Sequence, residues 1–312
     1  MSNGTMQAIR FHEYGGPEKL VLDTLERPAP KEGEVLLKVH AAGVNPVDWK
    51  FRAGYLQQWM PIQLPYVPGN DVAGTVEEVG PGVTEFRKGQ AVYGLAQGGT
   101  YAQYVVVPAS QLAPMPKNLS FDEAASVPVG ALTAWHALFT YADLQAGQTV
   151  LVHGGAGGVG AFAVQLAHWK GAKVIATASA DNLDFVRSLG ADTVIDYNAT
   201  QFETVVRDVD VVVDTVGGDV LQRSWQVLRP GGILVSITEP PSEEEAKKRG
   251  VRAAMVQTAF TGEDLRRITE LIESGQLKPE LGPVFRLTDA DKAQELSQTR
   301  HGRGRIVLHI AD

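Results

Sequence analysis

The chain of 312 residues contains no cysteine. That absence removes disulfides, thiolate nucleophiles and any cysteine-ligated zinc in one step. It also lacks any run of about 18 apolar residues, the length a helix needs to cross a bilayer. The N-terminal stretch MSNGTMQAIRF shows no basic-then-apolar leader pattern. Positive charge is in short supply: 28 Lys and Arg against 36 Asp and Glu leave a net charge of −8. A nucleic acid or an anionic membrane is disfavoured as a partner on that ground. By default these absences read as a cytoplasmic chain, with residues 1–5 a disordered tail and the fold starting near Met6. What remains is ordinary for a globular protein, 44% apolar and 21% charged, enough to fill the cores of about two domains.

The strongest pattern lies in residues 149–171, TVLVHGGAGGVGAFAVQLAHWKG. A short apolar run leads into Gly154, Gly155, Ala156, Gly157, Gly158, Val159 and Gly160. Val159, Phe162, Ala163 and Leu166 then recur at i, i+3, i+4 and i+7, the apolar face of a helix. Gly171 stops that helix, and KVIAT at 173–177 reads as the next buried strand. Strand, glycine turn, helix and strand within about 30 residues form the setting in which G-x-G-x-x-G binds a dinucleotide. Gly155 permits the tight turn, Gly157 lets a pyrophosphate approach the backbone, and Gly160 lets the helix pack on the strand. The start of the helix offers N–H groups and a positive dipole end to phosphates. The plainer alternative is a flexible glycine-rich loop, and the flanking strands count against it.

Around this stretch the chain has two textures. Residues 6–115 alternate short β-rich runs with Gly and Pro, as an antiparallel, barrel-like domain does. Residues 123–141 read as mostly helical, with Pro128 allowing a restart. From Val150 onward, VLVH, KVIAT, TVIDY, DVVVD, GILVSI and AAMVQ alternate with helical patterns, which predicts a doubly wound parallel sheet. The run SEEEAKKR at 242–249 is expected to be a solvated helix with i,i+4 pairs. Helices over 262–275 and 288–299 precede a last strand, RIVLHI, whose character matches the first domain.

In order along the chain stand Ala42-Gly43-Val44-Asn45-Pro46-Val47-Asp48, Arg52-Ala53-Gly54, Pro68-Gly69-Asn70-Asp71-Val72-Ala73-Gly74-Thr75-Val76, Ala124-Ala125, Leu132-Thr133-Ala134-Trp135, the glycine turn and Arg229-Pro230-Gly231-Gly232. These motifs resemble the medium-chain dehydrogenase/reductase superfamily, in particular its zinc-independent quinone oxidoreductase and enone reductase branch. The resemblance spans essentially the whole chain. It implies an α/β fold in which a Rossmann doubly wound parallel sheet is inserted into a GroES-like β-barrel catalytic domain. The expected division is 1–122 catalytic, 123–258 dinucleotide-binding and 259–312 returning to the catalytic domain. Zinc-dependent relatives carry a Cys at or beside Asn45 and Gly-His-Glu at Gly69-Asn70-Asp71. Here the first ligand is absent, the His is Asn70, and the seven His (12, 40, 136, 153, 168, 301, 309) show no zinc-ligand spacing. No metal site is expected.

The cofactor is read from the end of the second sheet strand. An NAD-preferring domain places a carboxylate there for the ribose hydroxyls. This chain has Thr177, Ala178 and Ser179, with no carboxylate before Asp181, so NADP (NADPH) is favoured over NAD. Against that, the Lys or Arg that related NADP enzymes carry near Asp181 or Asn182 is missing. Tyr197 matches a residue on the 2′-phosphate side in relatives. Arg303 or Arg305 is a candidate source of the missing charge, with a surface ion pair as the alternative. Val216 and Gly217, after Asp214 at the end of VVVD, are expected beside the cofactor ribose. Thr133 corresponds to a helical turn that abuts the nicotinamide in relatives, with a core contact as its alternative.

Without a Lewis acid, alcohol oxidation is disfavoured, and hydride addition to a quinone or an enone C=C asks less of the protein. It needs the hydride donor held near the conjugated carbon, a donor at the carbonyl oxygen and a proton source. Asn45, which relatives place near the nicotinamide and substrate, can bond a carbonyl, or it is only a turn-former before Pro46. Tyr55 can donate a proton, or it packs. Asp48 is assigned to orienting its neighbours. Trp59, Met60 and Phe260 are candidates for an apolar pocket or for core. His153 is read as structural. The leading function is an NADPH-dependent reductase of quinones or α,β-unsaturated carbonyls. The alternatives are an enoyl reductase on carrier-bound acyl chains and a non-catalytic NADP(H)-binding module. A homodimer joined through the strand near residues 251–256 is expected from the branch.

Overall fold

The β-rich runs of the first 115 residues become one hairpin and one larger sheet. A computed structural model describes residues 4–259, 261–299 and 302–312. Strand β1 (Thr5–Arg10) pairs antiparallel with β2 (Val21–Glu26). The long strand β3 (Glu34–Gly43) runs directly toward helix α1 (Pro46–Arg52). β4 (Asp71–Val79), β5 (Ala91–Leu95), β6 (Tyr104–Pro108) and β7 (Leu112–Pro114) follow. β3 pairs with β4 and, over its first half, with β6, while β5 joins β4 to β7. Val35, Leu37 and Val39 alternate along β3 and bury against Val72, Val76, Val92 and Val107. Period-two patterning thus places one face of each strand in a common core.

Helix α2 (Phe121–Ala125) opens with a capping box: Ser120 Oγ accepts the Glu123 N–H at 3.3 Å, and the Glu123 carboxylate accepts the Ser120 N–H at 2.7 Å. Because α2 packs on β3 and β4, it belongs to the first unit. The boundary therefore falls between Val129 and Gly130, later than the expected 122/123. Helix α3 (Pro128–Trp135) begins on Pro128, whose missing N–H is harmless in a first turn, and a π-helical stretch, His136–Tyr141, continues it.

The second unit covers Gly130–Ala259 and Gly275–Lys278. Along it run β8 (Thr149–Val152), α4 (Gly160–Trp169), β9 (Lys173–Ala178), α5 (Leu183–Ser188), β10 (Thr193–Asp196) and α6 (Phe202–Val205). Then come β11 (Val209–Asp214), α7 (Gly218–Ser224), β12 (Leu228–Ser236), α8 (Glu243–Arg249) and β13 (Arg252–Met255). All its strand pairs are parallel, in the order β10-β9-β8-β11-β12-β13. This is the Rossmann order, and it reverses between β8 and β11, the crevice where such sheets bind ligands. Helix α8 is the solvated helix that its charges predict, capped by Ser242 and carrying an Arg249–Glu245 pair.

The chain then returns to the first unit through α9 (Gly262–Glu273), β14 (Leu281–Arg286), α10 (Ala290–Gln298) and β15 (Arg305–His309). β15 pairs antiparallel with β3 and parallel with β14. The return is interrupted at 275–278 because Gln165 of α4 brackets Lys278. Its amide donates to the Lys278 carbonyl at 3.0 Å, and its oxygen accepts the Lys278 N–H at 2.9 Å. No described helix is long and apolar enough to cross a membrane.

Candidate active site

The glycine turn follows β8. Its left-handed residue is Gly154 (φ 68°), one position before the first fingerprint glycine. A Cβ on Gly155 would press on Ala176 and Val186 at 3.0 and 3.1 Å, so this glycine lets the turn pack on the sheet. A Cβ on Gly160 would collide with the Gly154 carbonyl oxygen. At Gly157 an added Cβ would sit tightly against the Gly154 carbonyl oxygen at 3.2 Å, and no other protein atom lies within 4 Å, so apart from that contact this side of the turn is open. The N–H groups of Gly158 and Val159, at the head of the ten-residue helix α4, have no acceptor among the described residues. Unpaired donors beside an open glycine at a helix start fit a pyrophosphate.

At the end of β9, Thr177 is buried, and its hydroxyl accepts the Gly154 N–H at 3.1 Å. It holds the turn and is not free for a 2′-phosphate, which corrects its expected role. Ser179 lies at the strand end and accepts a hydrogen bond from the Asn182 amide at 2.9 Å. Tyr197 is 54% exposed. It lines a cavity of about 450 Å³ with Asn198, Thr200, Gln201, Asp219 and Arg223. That arginine donates to both Glu203 oxygens and to Asp219 at 2.7–3.0 Å. Val216 and Gly217 turn their N–H groups onto the buried Asp214 at 3.1 and 2.9 Å, so only their carbonyls and the exposed Val216 side chain are left for a ribose. The Thr133 hydroxyl lies 2.8 Å from that of Thr258. Phe260 lies outside the described residues.

In the first unit a chain of buried polar groups starts at the head of α1. The Asn45 N–H donates to Asp48 Oδ2 at 2.8 Å, and Tyr101 donates to the same oxygen at 3.0 Å. The Asn45 amide donates to Asp71 Oδ2 at 2.8 Å, and its oxygen accepts from Arg305 at 2.6 Å. Arg305 also donates to Asp71 at 2.7 Å, and the Val129 N–H donates to the other Asp71 oxygen at 2.6 Å. Burial pushes the Asp48 carboxyl up to about 7, against the pull of the Asn45 and Tyr101 hydrogen bonds. Burial also raises Asp71, while Arg305, Asn45 and Val129 draw it back down.

Two expectations are corrected here. The Asn45 carboxamide is buried and held at both ends, so it is not presented to a substrate carbonyl. Arg305 is buried in that network, and Arg303 forms an exposed pair with Glu280 at 2.7 Å, so neither supplies charge for a 2′-phosphate. Asp48, in the first turn of α1, touches only protein groups, through the Asn45 N–H and the Tyr101 hydroxyl. Tyr55 stands apart, 65% exposed, with its ring edge-on to Trp49 at 5.9 Å. Trp59 and Met60 are also exposed and do not belong to a core. Sequence reasoning missed the pairing of Asp71 with Arg305 and the role of Tyr101. The one signal was two charged residues in strands that otherwise read as buried.

Residues 31–117 match the family model described as alcohol dehydrogenase GroES-like domain, and residues 189–308 match the one described as zinc-binding dehydrogenase. The NADPH-dependent alkenal/one oxidoreductase, chloroplastic, of Arabidopsis thaliana is 37% identical over 97% of this chain and 79% of its own length. The quinone oxidoreductase of Sus scrofa is 33% identical over 97% of both chains. This chain belongs to the medium-chain dehydrogenase/reductase superfamily, in its zinc-independent quinone and enone oxidoreductase branch. The structure of the quinone oxidoreductase from Coxiella burnetii superposes with a TM-score of 0.91, covering 98% of this chain and 99% of that one at 36% identity. The residues at the positions where zinc-dependent relatives place ligands are engaged by protein groups in this member. Asn45 and Asp71 are held by Arg305, the Asn70 amide donates to the Ala96 carbonyl at 2.9 Å, and no metal-binding cluster exists among the described residues.

Proposed function

We propose that this protein is an NADPH-dependent oxidoreductase that reduces quinones or α,β-unsaturated carbonyls. The observation that carries this reading is the likeness, over 97% of this chain, to a quinone oxidoreductase and an alkenal/one oxidoreductase, in a chain whose metal-ligand positions hold Asn45 and Asn70. Bound NADPH would supply the hydride for the conjugated acceptor. Gly158 and Val159 hold the pyrophosphate through their N–H groups, and the open face of Gly157 admits it. Ser179, Asn182 and Tyr197 meet the 2′-phosphate with neutral donors, so discrimination against NADH is modest. Val216 and Gly217 border the ribose through their carbonyls. With Asn45 and Asp48 engaged inside the protein, Tyr55 is the phenol assigned to donate toward the acceptor oxygen, and Trp59 and Met60 supply apolar contact. Asp48 acts as a positioning residue, because it touches only protein. The edge strand β13 supports a homodimer, which sedimentation tests.

The function is tested by following NADPH oxidation with 1,4-benzoquinone and with a short 2-alkenal, and NADP+ reduction with a simple alcohol. NADPH oxidation with both acceptors and no NADP+ reduction with the alcohol are expected. Silence with every acceptor despite tight NADPH binding would overturn the enzymatic reading, and faster use of NADH would overturn the cofactor assignment.

A further inference from the structure

Beneath the glycine turn, four polar groups form a chain whose hydrogen-bond directions can be worked out in full. His153 is buried, with Nε2 2.9 Å from Ser224 Oγ and Nδ1 3.3 Å from Thr177 Oγ1. Ser224 has one hydroxyl hydrogen and donates it to the Val220 carbonyl at 2.7 Å. Toward His153 it can therefore only accept, which places the imidazole hydrogen on Nε2. Nδ1 is then an acceptor and draws the Thr177 hydroxyl hydrogen. Thr177 in turn presents a lone pair to the Gly154 N–H at 3.1 Å. The opposite tautomer loses the Ser224–Val220 bond and leaves the Thr177 hydrogen with no acceptor in a buried setting, an arrangement proteins avoid.

We propose that His153, as the neutral Nε2–H tautomer, is the positioning residue that sets the dinucleotide-binding turn, by fixing the rotor of Thr177 and through it the left-handed Gly154. Two further contacts close the frame. The Thr215 hydroxyl donates to the His153 carbonyl at 2.7 Å, and the Gly155 N–H donates to the Thr177 carbonyl at 2.8 Å. The Gly154 carbonyl, placed by this frame, accepts the Gly157 N–H at 2.9 Å and lies where a Cβ of Gly160 would sit. His153 thereby governs the backbone on which the pyrophosphate would rest. Its spacing from Ser224, 71 residues along the chain, hides this role from the sequence.

The imidazole stays neutral over the working range. Burial holds it down to about 4, outweighing the nearby Asp214 and Glu203, while Arg223 opposes protonation and the Phe202 ring packs against it at 4.5 Å. Below that range a hydrogen on Nδ1 would face Thr177 Oγ1 and leave the threonine hydrogen without its acceptor. The turn is then expected to loosen in acid.

This inference builds on the dinucleotide reading above, and the test separates the two. Heteronuclear NMR of the full chain reads the His153 tautomer, and NADPH titrations compare wild type with His153→Phe, His153→Asn, Thr177→Val and the Phe/Val double variant. The Nε2–H tautomer is expected. His153→Phe and Thr177→Val should each weaken NADPH binding by about tenfold, as an unsatisfied buried hydroxyl or amide does. The double variant should bind no worse than the weaker single, because both act on one chain. His153→Asn, which keeps an acceptor toward Thr177, should recover most of the affinity. The Nδ1–H tautomer, additive single effects, or a His153→Phe protein of lowered thermal stability but wild-type affinity would overturn the proposal. If the wild type binds no NADPH, the functional reading falls, and the Gly154 amide decides the positioning role alone. Faster hydrogen exchange in His153→Phe supports that role, and unchanged exchange overturns it.

Discussion

Replacing Asp48 by Asn isolates the electrostatic cost of the first unit's buried network. In the folded chain Asp48 keeps its proton up to about pH 7, whereas an unfolded aspartate releases it near 3.8. Between those values the unfolded state binds fewer protons, so raising the pH lowers stability; below 3.8 and above 7 this contribution is flat. Three pKa units correspond to about 4 kcal/mol, all of it accumulated across that window. The substituted carboxamide has the same shape as the carboxyl and does not titrate. Its oxygen can still accept the Asn45 N–H and the Tyr101 hydroxyl, while its amide replaces Asp48 Oδ1, which has no partner. An amide left unbonded there costs on the order of 1–3 kcal/mol, but equally at every pH. Asp71 is present in both proteins, and its own titration largely cancels in the difference. Urea unfolding of wild type and Asp48→Asn at pH 5, 6, 7 and 8 should therefore show the variant gaining on wild type by about 2.7 kcal/mol, the two pKa units of the window that lie above pH 5. Stability curves that stay parallel from pH 5 to pH 8 would refute the claim that Asp48 is buried as a neutral acid.

Three further outcomes follow from named contacts. Gly160→Ala drives a Cβ into the Gly154 carbonyl, and NADPH fluorescence titration should show affinity weakened by at least about tenfold, a backbone shift in the turn costing about 1.4 kcal/mol or more. Wild-type affinity in that variant would show that the turn does not bind the cofactor as described. Arg305→Met strands the buried Asp71 and should cost about 3–5 kcal/mol in urea unfolding, most of it recovered by adding Asp71→Asn; strictly additive losses would contradict the pairing. Asp181→Lys should tighten binding of 2′,5′-ADP, more at low salt than at high, and leave 5′-AMP unchanged. Equal effects on both ligands in calorimetry would place the 2′-phosphate elsewhere.

The parts of the fold that were legible owe it to local causes. Strands buried on both faces of a parallel sheet must be apolar throughout, so VLVH, KVIAT and DVVVD declared themselves, and the glycine spacing between the first two fixed the turn. The first unit's strands were legible as a class, through alternation and Gly/Pro punctuation. Where the chain crosses between units was not. Assignment of 275–278 to the second unit depends on Gln165 bonding Lys278 across 113 residues, and no local propensity encodes that. The boundary near 129 similarly depends on what α2 packs against, since its capping box specifies only a helix.

The site divides along the same line. Glycine functions by lacking a side chain, so its role is readable in place: Gly160 cannot carry a Cβ whatever else surrounds it. A polar side chain functions through its partner, and here the partners are distant. Asn45 and Thr177 were judged by type and by nearness to the expected ligand, and both are engaged by protein: Asn45 by Asp71 and Arg305, 26 and 260 residues away, Thr177 by Gly154, 23 residues back. The acidic residue after Asn70 and a basic residue near the C-terminus were each visible, yet only β15 pairing with β3 brings Arg305 to Asp71. That ion pair lies beside Asn45, one of the positions where zinc-dependent relatives place a ligand. A buried guanidinium there satisfies Asp71 and the Asn45 oxygen together, so the network is closed by protein groups alone, and a metal could enter only by breaking a buried salt bridge, which is strongly unfavourable.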